Sequence, residues 1–488
     1  MLFNSIQFIF FLPIVVAIYF IIPFKRRWFW LLVSSYFFYM CWKPEYAILI
    51  FISTVITYFS GIGIEKISNS NKIKNKIKNK KLCVSISFIS NLSILIFFKY
   101  YNFIGENLGL LFSNSTDENS FTPLDILLPV GISFYTFQAL SYTMDIYRGN
   151  LKAEHHFGRY ALFVSFFPQL VAGPIERSTN LLPQFRKKIN FNLKNLWDGV
   201  FIILCGLFKK VVIADRLAVV VNTIYDDPTK YSGYPLIIAT IFFTFQIYCD
   251  FSAYSDIAIG SAKIMGFDLM KNFDKPYFSK SISEFWRKWH ISLSTWFRDY
   301  LYFPLGGNRV SKFKRYRNIL IVFITSGIWH GANWNFMIWG ALHGIYLTLE
   351  LILKPSKGFI IKILKIKKGS YGFKLFQISF TFFLVSFAWI FFRAKTLPDA
   401  VYISKNIFVI DSFEIINTGL TKFDFTLSKY LIFFLVLIQY IQRKTNLKEK
   451  LYNENLVVRW LFFSILIIVI IFWGYYPTEP SQFIYFQF

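Results

Sequence analysis

The chain has 488 residues, of which 55% are hydrophobic, 21% aromatic and only 16% charged. Its 53 Lys and Arg against 27 Asp and Glu give a formal charge of +26, and its mean hydropathy is +0.45. A water-soluble domain carries about 25% charged residues, so this balance excludes a disordered chain, a disulfide-built scaffold and an ordinary soluble enzyme.

A helix that spans a bilayer needs about 20 apolar residues at 1.5 Å rise each. Apolar runs that could serve lie at 6–24, 28–42, 46–64, 82–103 and 124–147. More follow at 197–224, 235–260, 318–332, 335–353, 373–392, 429–441 and 457–474. A shorter run, 160–173, ends at Gly173-Pro174 and predicts a re-entrant segment, tolerated at depth only against protein or water. These runs predict an all-α polytopic membrane protein of about 11–12 spans, forming a single domain over 1–488. No Lys or Arg precedes the first run, and Lys25, Arg26 and Arg27 follow it, which predicts a retained first span with the N-terminus outside.

Loop charges set the orientation. The segment 65–81 carries Lys66, Lys72, Lys74, Lys76, Lys78, Lys80 and Lys81, whereas 104–123 carries Glu106, Asp117 and Glu118 and no basic residue. Lys354, Lys357, Lys362, Lys365, Lys367 and Lys368 mark a second cytoplasmic loop. The positive-inside rule accounts for this alternation and places the C-terminus outside. Because the basic excess sits in short loops, it points to a membrane and not to nucleic acid. The cysteines Cys41, Cys83, Cys205 and Cys249 lie in or beside apolar runs without a C-x-x-C, so they are expected as packing residues and no metal is expected.

The stretch 263–317 is basic, aromatic and too polar to span. Taken as a helix from Glu284 to Leu301, it puts Phe285, Trp289, Leu293, Trp296 and Tyr300 on one stripe, with Glu284, Arg287, Lys288 and Arg298 facing away. That pattern predicts an amphipathic helix in the membrane interface, with its tryptophans at headgroup level. Glu284 and Lys288 form an i,i+4 pair, and Pro304 with Gly306-Gly307 ends the element.

Five histidines are candidates for acid–base chemistry: His155, His156, His290, His330 and His343. His330 lies in Ser326-Gly327-Ile328-Trp329-His330-Gly331-Ala332-Asn333-Trp334, at a break between two apolar runs. An ionisable residue there is a functional candidate, against the alternative of a histidine bonded between packed helices. His343 sits between Gly340 and Gly344, a G-x-x-x-G helix-packing face, and is expected to be structural. His290 lies at the edge of the amphipathic stripe and can be functional or interfacial, while His155 and His156 belong to a polar loop. Asp250 and Asp256 must pair or face water, and Lys209-Lys210 with Asp215-Arg216 suggests a kinked element held by ion pairs. There is no G-x-S-x-G, Walker A or H-E-x-x-H signature.

Five stretches together resemble the membrane-bound O-acyltransferase (MBOAT) family, in its bacterial branch typified by the alginate O-acetylation membrane subunit. They are Phe167-Pro168-Gln169-Leu170-Val171-Ala172-Gly173-Pro174-Ile175, the run 250–260, the string 284–309, the segment from Trp329-His330-Gly331 to Gly344, and the closing Phe483-Ile484-Tyr485-Phe486-Gln487-Phe488. The likeness is densest over about 125–345. It implies helices around a central tunnel, with His330 as the active-site residue and His290 as a second implicated position on the cytoplasmic side. Trp289, Trp296, Arg287 and Arg298 are expected to shape a cytoplasmic mouth, its basic residues suiting the phosphates of coenzyme A, and with Asn333 they are the expected substrate contacts.

The resemblance further implies an acyl group, acetyl by expectation, moved from a cytoplasmic thioester donor such as acetyl-CoA towards an exported or cell-envelope polysaccharide. The expected setting is the bacterial inner membrane, with no bound cofactor and with an SGNH-type extracytoplasmic partner. D-alanyl transfer to teichoic acid and peptidoglycan O-acetylation are alternatives on the same fold. A polysaccharide or lipid transporter is the non-enzymatic alternative, and it would call for coupling carboxylates in several spans, for which only Asp250 and Asp256 are candidates.

Overall fold

The structure is a computed structural model that describes residues 1–71, 75–112, 121–171, 173–355, 367, 369–409, 418–476 and 483–486. Lys72, Lys74, Asp117, Glu118, Lys357, Lys362, Lys365 and Lys368 of the charged loops lie outside the described residues, as do Ala172, Gln487 and Phe488 of the motif strings. The ordered elements are helical, and no strand occurs among the described residues. In chain order they begin α1 (Ile6–Ile21), α2 (Phe24–Met40), α3 (Ala47–Asn69), α4 (Lys76–Phe112), α5 (Ile132–Tyr147), α6 (Phe157–Ser165), α7 (Phe167–Leu170) and α8 (Ser178–Phe185). They continue α9 (Leu193–Leu207), α10 (Asp215–Tyr225), α11 (Tyr234–Ile264), α12 (Ile282–Trp286), α13 (Ile291–Phe297), α14 (Lys312–His330) and α15 (Trp334–Ile352). The last are α16 (Tyr371–Arg393), α17 (Leu397–Asn406), α18 (Lys422–Ile441), α19 (Leu447–Tyr452) and α20 (Leu456–Trp473).

Six helical segments among the described residues are long and apolar enough to cross a bilayer: Pro44–Asn69, Lys76–Gly109, Tyr234–Ile264, Tyr371–Arg393, Lys422–Ile441 and Leu456–Trp473. Other expected spans correspond to helices of 16 to 19 residues, namely α1, α2, α5, α14 and α15. The chain is therefore an all-α, multi-pass membrane protein.

Two compact units divide the residues. The first comprises 1–200 and 258–270. Its core is the segment expected to be re-entrant. There α6 and α7 are broken at Phe166, and Tyr160, Phe163, Phe166 and Phe167 are fully buried. Gln138 and Gln169 both donate to the Phe163 carbonyl, at 2.6 and 2.7 Å, which satisfies backbone exposed by the break. Glu176, also buried, accepts from Asn180 Nδ2 at 2.8 Å and from the Met270 amide.

The second unit comprises 201–257 and 271–488 and contains the histidines of interest. Between α9 and α10 the helix continues through a π-helical stretch, Phe208–Ala214. This irregular turn presents Lys210, which bonds both Asp215 and Asp250 at 2.8 Å within the protein. Asp250 is thus paired, by a lysine, and its second oxygen accepts the Ile484 amide at 2.8 Å. Asp256 bonds Lys209 at 2.7 Å. The α14–α15 hairpin is close-packed because a Cβ at Gly340 would collide with the Phe323 carbonyl, and one at Gly327 with the Phe336 carbonyl.

One expectation is overturned. Residues 284–301 are not a single interfacial helix. The chain forms α12, breaks at His290, which has left-handed φ and ψ of 41° and 56°, and resumes as α13 and a π turn over Arg298–Tyr302. The stripe faces protein instead of lipid headgroups: Phe285 and Trp289 are each 1% exposed and Trp296 is 6% exposed. The break exists because Asn272 captures the turn. Its carbonyl accepts the Ile291 amide at 2.9 Å, and its side chain accepts the Ser292 amide at 3.2 Å. The Glu284–Lys288 pair forms nonetheless, at 2.6 Å, because it spans the α12 end before the break.

Candidate active site

His330 occupies the last position of α14, just before Gly331 leaves the helix. It is 4% exposed. Its ring lies edge-on to Trp329 and Trp339, each 4.9 Å away between centroids, with Phe392 at 5.3 Å and Tyr485 at 5.6 Å. Aromatic walls of this kind exclude water and strengthen any charge that develops beside the imidazole.

His290 is 1% exposed and borders the same tyrosine, at 6.4 Å, together with Trp329 at 6.2 Å. Phe251 closes its other side at 4.6 Å. Tyr485 and Trp329 are therefore shared neighbours of the two histidines. The Tyr485 segment is fixed by the Ile484–Asp250 bond and, through Asp250, by Lys210.

The tautomer of His290 follows from its partners. The Ser292 backbone N–H can only donate, so the Asn272 atom facing it is the carbonyl oxygen Oδ1. That oxygen also accepts the Ser292 hydroxyl at 2.9 Å and lies 3.2 Å from His290 Nδ1. An oxygen that only accepts requires Nδ1 to carry the proton, which leaves a lone pair on Nε2. The Asn272 amide nitrogen donates to Ser255 Oγ at 3.0 Å and holds the group in place. Burial pushes the His290 pKa down from 6.5 to about 3, so the imidazole is neutral at physiological pH.

Trp289 packs into a tryptophan cluster, 5.1 Å from Trp389, which itself stacks on Trp339 at 5.6 Å. Trp296 contacts Tyr300 at 5.1 Å. Arg287 and Arg298 are exposed; Arg287 bonds the Ser283 carbonyl and Arg298 bonds Asp299 at 2.8 Å. Asn333 caps α15, accepting the Asn335 amide at 2.9 Å. His343 is buried, and its Nδ1 accepts from Trp286 Nε1 at 3.2 Å. His155 pairs with Glu65 at 2.7 Å, and His156 caps α6. Among the described residues no three His, Cys, Asp or Glu side chains form a metal-ligating group.

His330 thus shares Tyr485 and Trp329 with His290 on one side and Trp339, at 4.9 and 5.1 Å, with His343 on the other, while His155 and His156 belong to the first unit. Asn272 escaped the sequence reading because it lies 18 positions from His290 in a stretch with no periodicity. Tyr485 was visible only as part of the closing aromatic string.

Comparison with known proteins agrees with this architecture. Residues 151–356 match the profile of the membrane-bound O-acyltransferase family. A relative from Azotobacter vinelandii, named "Probable alginate O-acetylase AlgI", is 38% identical over 403 residues, covering 82% of this chain and 76% of the relative. The peptidoglycan O-acetyltransferase of Helicobacter pylori is 38% identical over 438 residues, covering 83% and 79%. The teichoic acid D-alanyltransferase of Bacillus subtilis is 29% identical over 245 residues, covering 46% and 60%. The chain belongs to the membrane-bound O-acyltransferase family. Within it, the chain is an acyltransferase similar over four-fifths of its length to bacterial proteins named as O-acetylases of alginate and peptidoglycan.

Proposed function

We propose that this protein transfers an acetyl group from a cytoplasmic thioester, acetyl-CoA, into the O-acetylation of an exported or cell-envelope polysaccharide at the bacterial inner membrane. The observation that carries the reading is the pair of buried histidines sharing Tyr485 and Trp329. The long alignments to O-acetylases, against a half-chain alignment to a D-alanyltransferase, favour acetyl over D-alanyl.

In the proposed reaction the oxygen of an acceptor hydroxyl attacks the thioester carbonyl carbon. The new C–O bond forms as the C–S bond breaks, and the thiolate leaves. A hydroxyl has a pKa far above 7, so a neutral imidazole must take its proton during attack, an effect worth about 10² to 10⁴ in rate. His330 takes that role, and the proton passes on to the thiolate. His290, neutral and oriented, offers its Nε2 lone pair to a donor N–H or hydroxyl of the substrates. Arg287 and Arg298, exposed, attract the phosphates of the donor by charge. An SGNH-type extracytoplasmic protein completes transfer to the sugar.

The test is the O-acetyl content of exported and wall polysaccharides in native, deleted and His330→Ala strains, with protein level checked. Ester lost in both altered strains supports the reading and identifies the polymer. Ester unchanged in the deletion strain rules out acetyl transfer to the polymers measured, and D-alanyl ester is then assayed.

A further inference from the structure

A cavity of about 980 Å³ lies in the second unit, against the α11 face that carries Tyr248, Ser252 and Asp256. Its outer wall is apolar and built by Phe201, Leu431, Phe434, Phe462, Leu466 and Val469. The volume is at the upper end of the roughly 300–1,000 Å³ typical of ligand sites.

The gap is a built feature. At one end of α18 and α20, Arg216 reaches Asp424 at 3.5 Å and the Trp473 carbonyl at 2.9 Å, while the Tyr475 amide donates to the Val211 carbonyl at 3.0 Å. Towards the other end of α18, Gln439 donates to Tyr248 Oη at 3.1 Å. Both helices are therefore fastened, and the space remains between the fastenings. Phe434 and Phe462 are 48% and 36% exposed, so the wall is continuous with the lipid-facing surface. Water does not fill an apolar space open to hydrocarbon, whereas an acyl chain does.

The charged residues of the lining are mostly at one mouth. Lys271 bonds Asp274 at 2.8 Å and Lys275 lies 3.7 Å from the same carboxylate, so two ammonium groups share one negative charge. Burial opposes ionisation of Asp274, but Lys271 with the fields of Lys275 and Lys288 overrides it and holds the carboxyl below its usual pKa. Lys450, Gln442 and Glu454 also line the cavity, and the Glu454 carboxylate offsets one ammonium, so the net positive charge rests on Lys271 and Lys275. This mouth belongs to the basic loops that the positive-inside rule assigns to the cytoplasm, where anionic lipids attract juxtamembrane lysines. Deeper in, Lys209 is already balanced by Asp256 and bonds Ser252.

We propose that this cleft binds an anionic phospholipid of the cytoplasmic leaflet, its phosphate at Lys271 and Lys275 and its acyl chains along α18 and α20. The site bears on the reaction because its inner wall includes Tyr248 and Phe273. Phe273 packs on Trp289 at 5.1 Å and on His290 at 6.5 Å, and Tyr248 packs on Trp289 at 6.2 Å. Filling the cleft therefore braces the shell that holds His290.

The experiment is native mass spectrometry of the full chain, released from nanodiscs of equal phosphatidylglycerol and phosphatidylcholine. The protein is expected to retain phosphatidylglycerol over phosphatidylcholine by about fivefold for each engaged lysine. Lys271→Gln with Lys275→Gln, the first exposed and the second half-buried, is expected to erase that preference. Leu466→Trp is expected to reduce retention of both lipids by filling the space. Equal retention of the two lipids by the native protein, or a preference that survives the double lysine variant, overturns the proposal. Because the readout is lipid mass and not ester formation, its failure is separate from failure of the acetyl-transfer reading.

Discussion

His290 and His343 are both fully buried, both neighbour tryptophans, and both have Nδ1 in a hydrogen bond, yet they are opposite tautomers. His343 faces an indole N–H, which can only donate, so its Nδ1 is the acceptor and its proton sits on Nε2. His290 faces an amide oxygen, which can only accept, so its proton sits on Nδ1 and its lone pair on Nε2. The partner, and not burial, decides which buried imidazole can receive a proton or hydrogen bond. His343 packs between Trp286 and Trp339 in the α14–α15 hairpin, whereas His290 borders Tyr485 and Trp329.

Three substitutions and one titration bear on this contrast. His330→Ala, measured as ester formed per mole of enzyme, is expected to lose about 10² to 10⁴ in rate with the fold retained. Asn272→Leu should erase the asymmetry, since the Ser292 amide and Nδ1–H lose their acceptor. The outer partner of a working imidazole is worth about 10- to 100-fold, and kcat should fall by that factor. A fall in KM-dependent binding alone would contradict the orienting role. Trp286→Phe removes the partner of His343 instead. Its expected cost is about 1 kcal/mol of stability, with activity within about twofold of native.

The pH dependence of unfolding reads the burial of His290 separately. The His290 pKa is about 3 folded and 6.5 unfolded, so between those values the unfolded chain binds the extra proton. Its contribution is complete above pH 6.5 and erodes by up to about 1.4 kcal/mol per pH unit as pH falls towards 3. Nitrogen-15 NMR of labelled histidine should show His290 Nε2 unprotonated at pH 5. A protonated Nε2 there would break the contrast with His343.

Much of this site was legible in the sequence. His330 stood out because an imidazole flanked by glycines at the end of an apolar run has few purely structural explanations, and the Gly340–Gly344 spacing correctly marked a packing face around His343. The helical wheel over 284–301 failed for a physical reason. Histidine is not a helix breaker, and the force that turns the chain at His290 comes from Asn272, remote in sequence and silent to periodicity. The same long-range bonding hid the role of Asp250, whose Lys210 partner is presented by a π turn that propensity does not foresee.

The left-handed backbone of His290 has a practical consequence. That region of conformational space costs most L-residues energy but suits asparagine. An asparagine at 290 would therefore relieve the turn while removing the imidazole. His290→Asn keeps a residue suited to the left-handed turn while removing a ring packed on Phe251 and bonded to Asn272, so activity it lacks is charged to chemistry once its level in the membrane equals that of its parent. The fold thus supplies a control at the N-cap of α13, where the side chain makes no cap hydrogen bond that the substitution would lose.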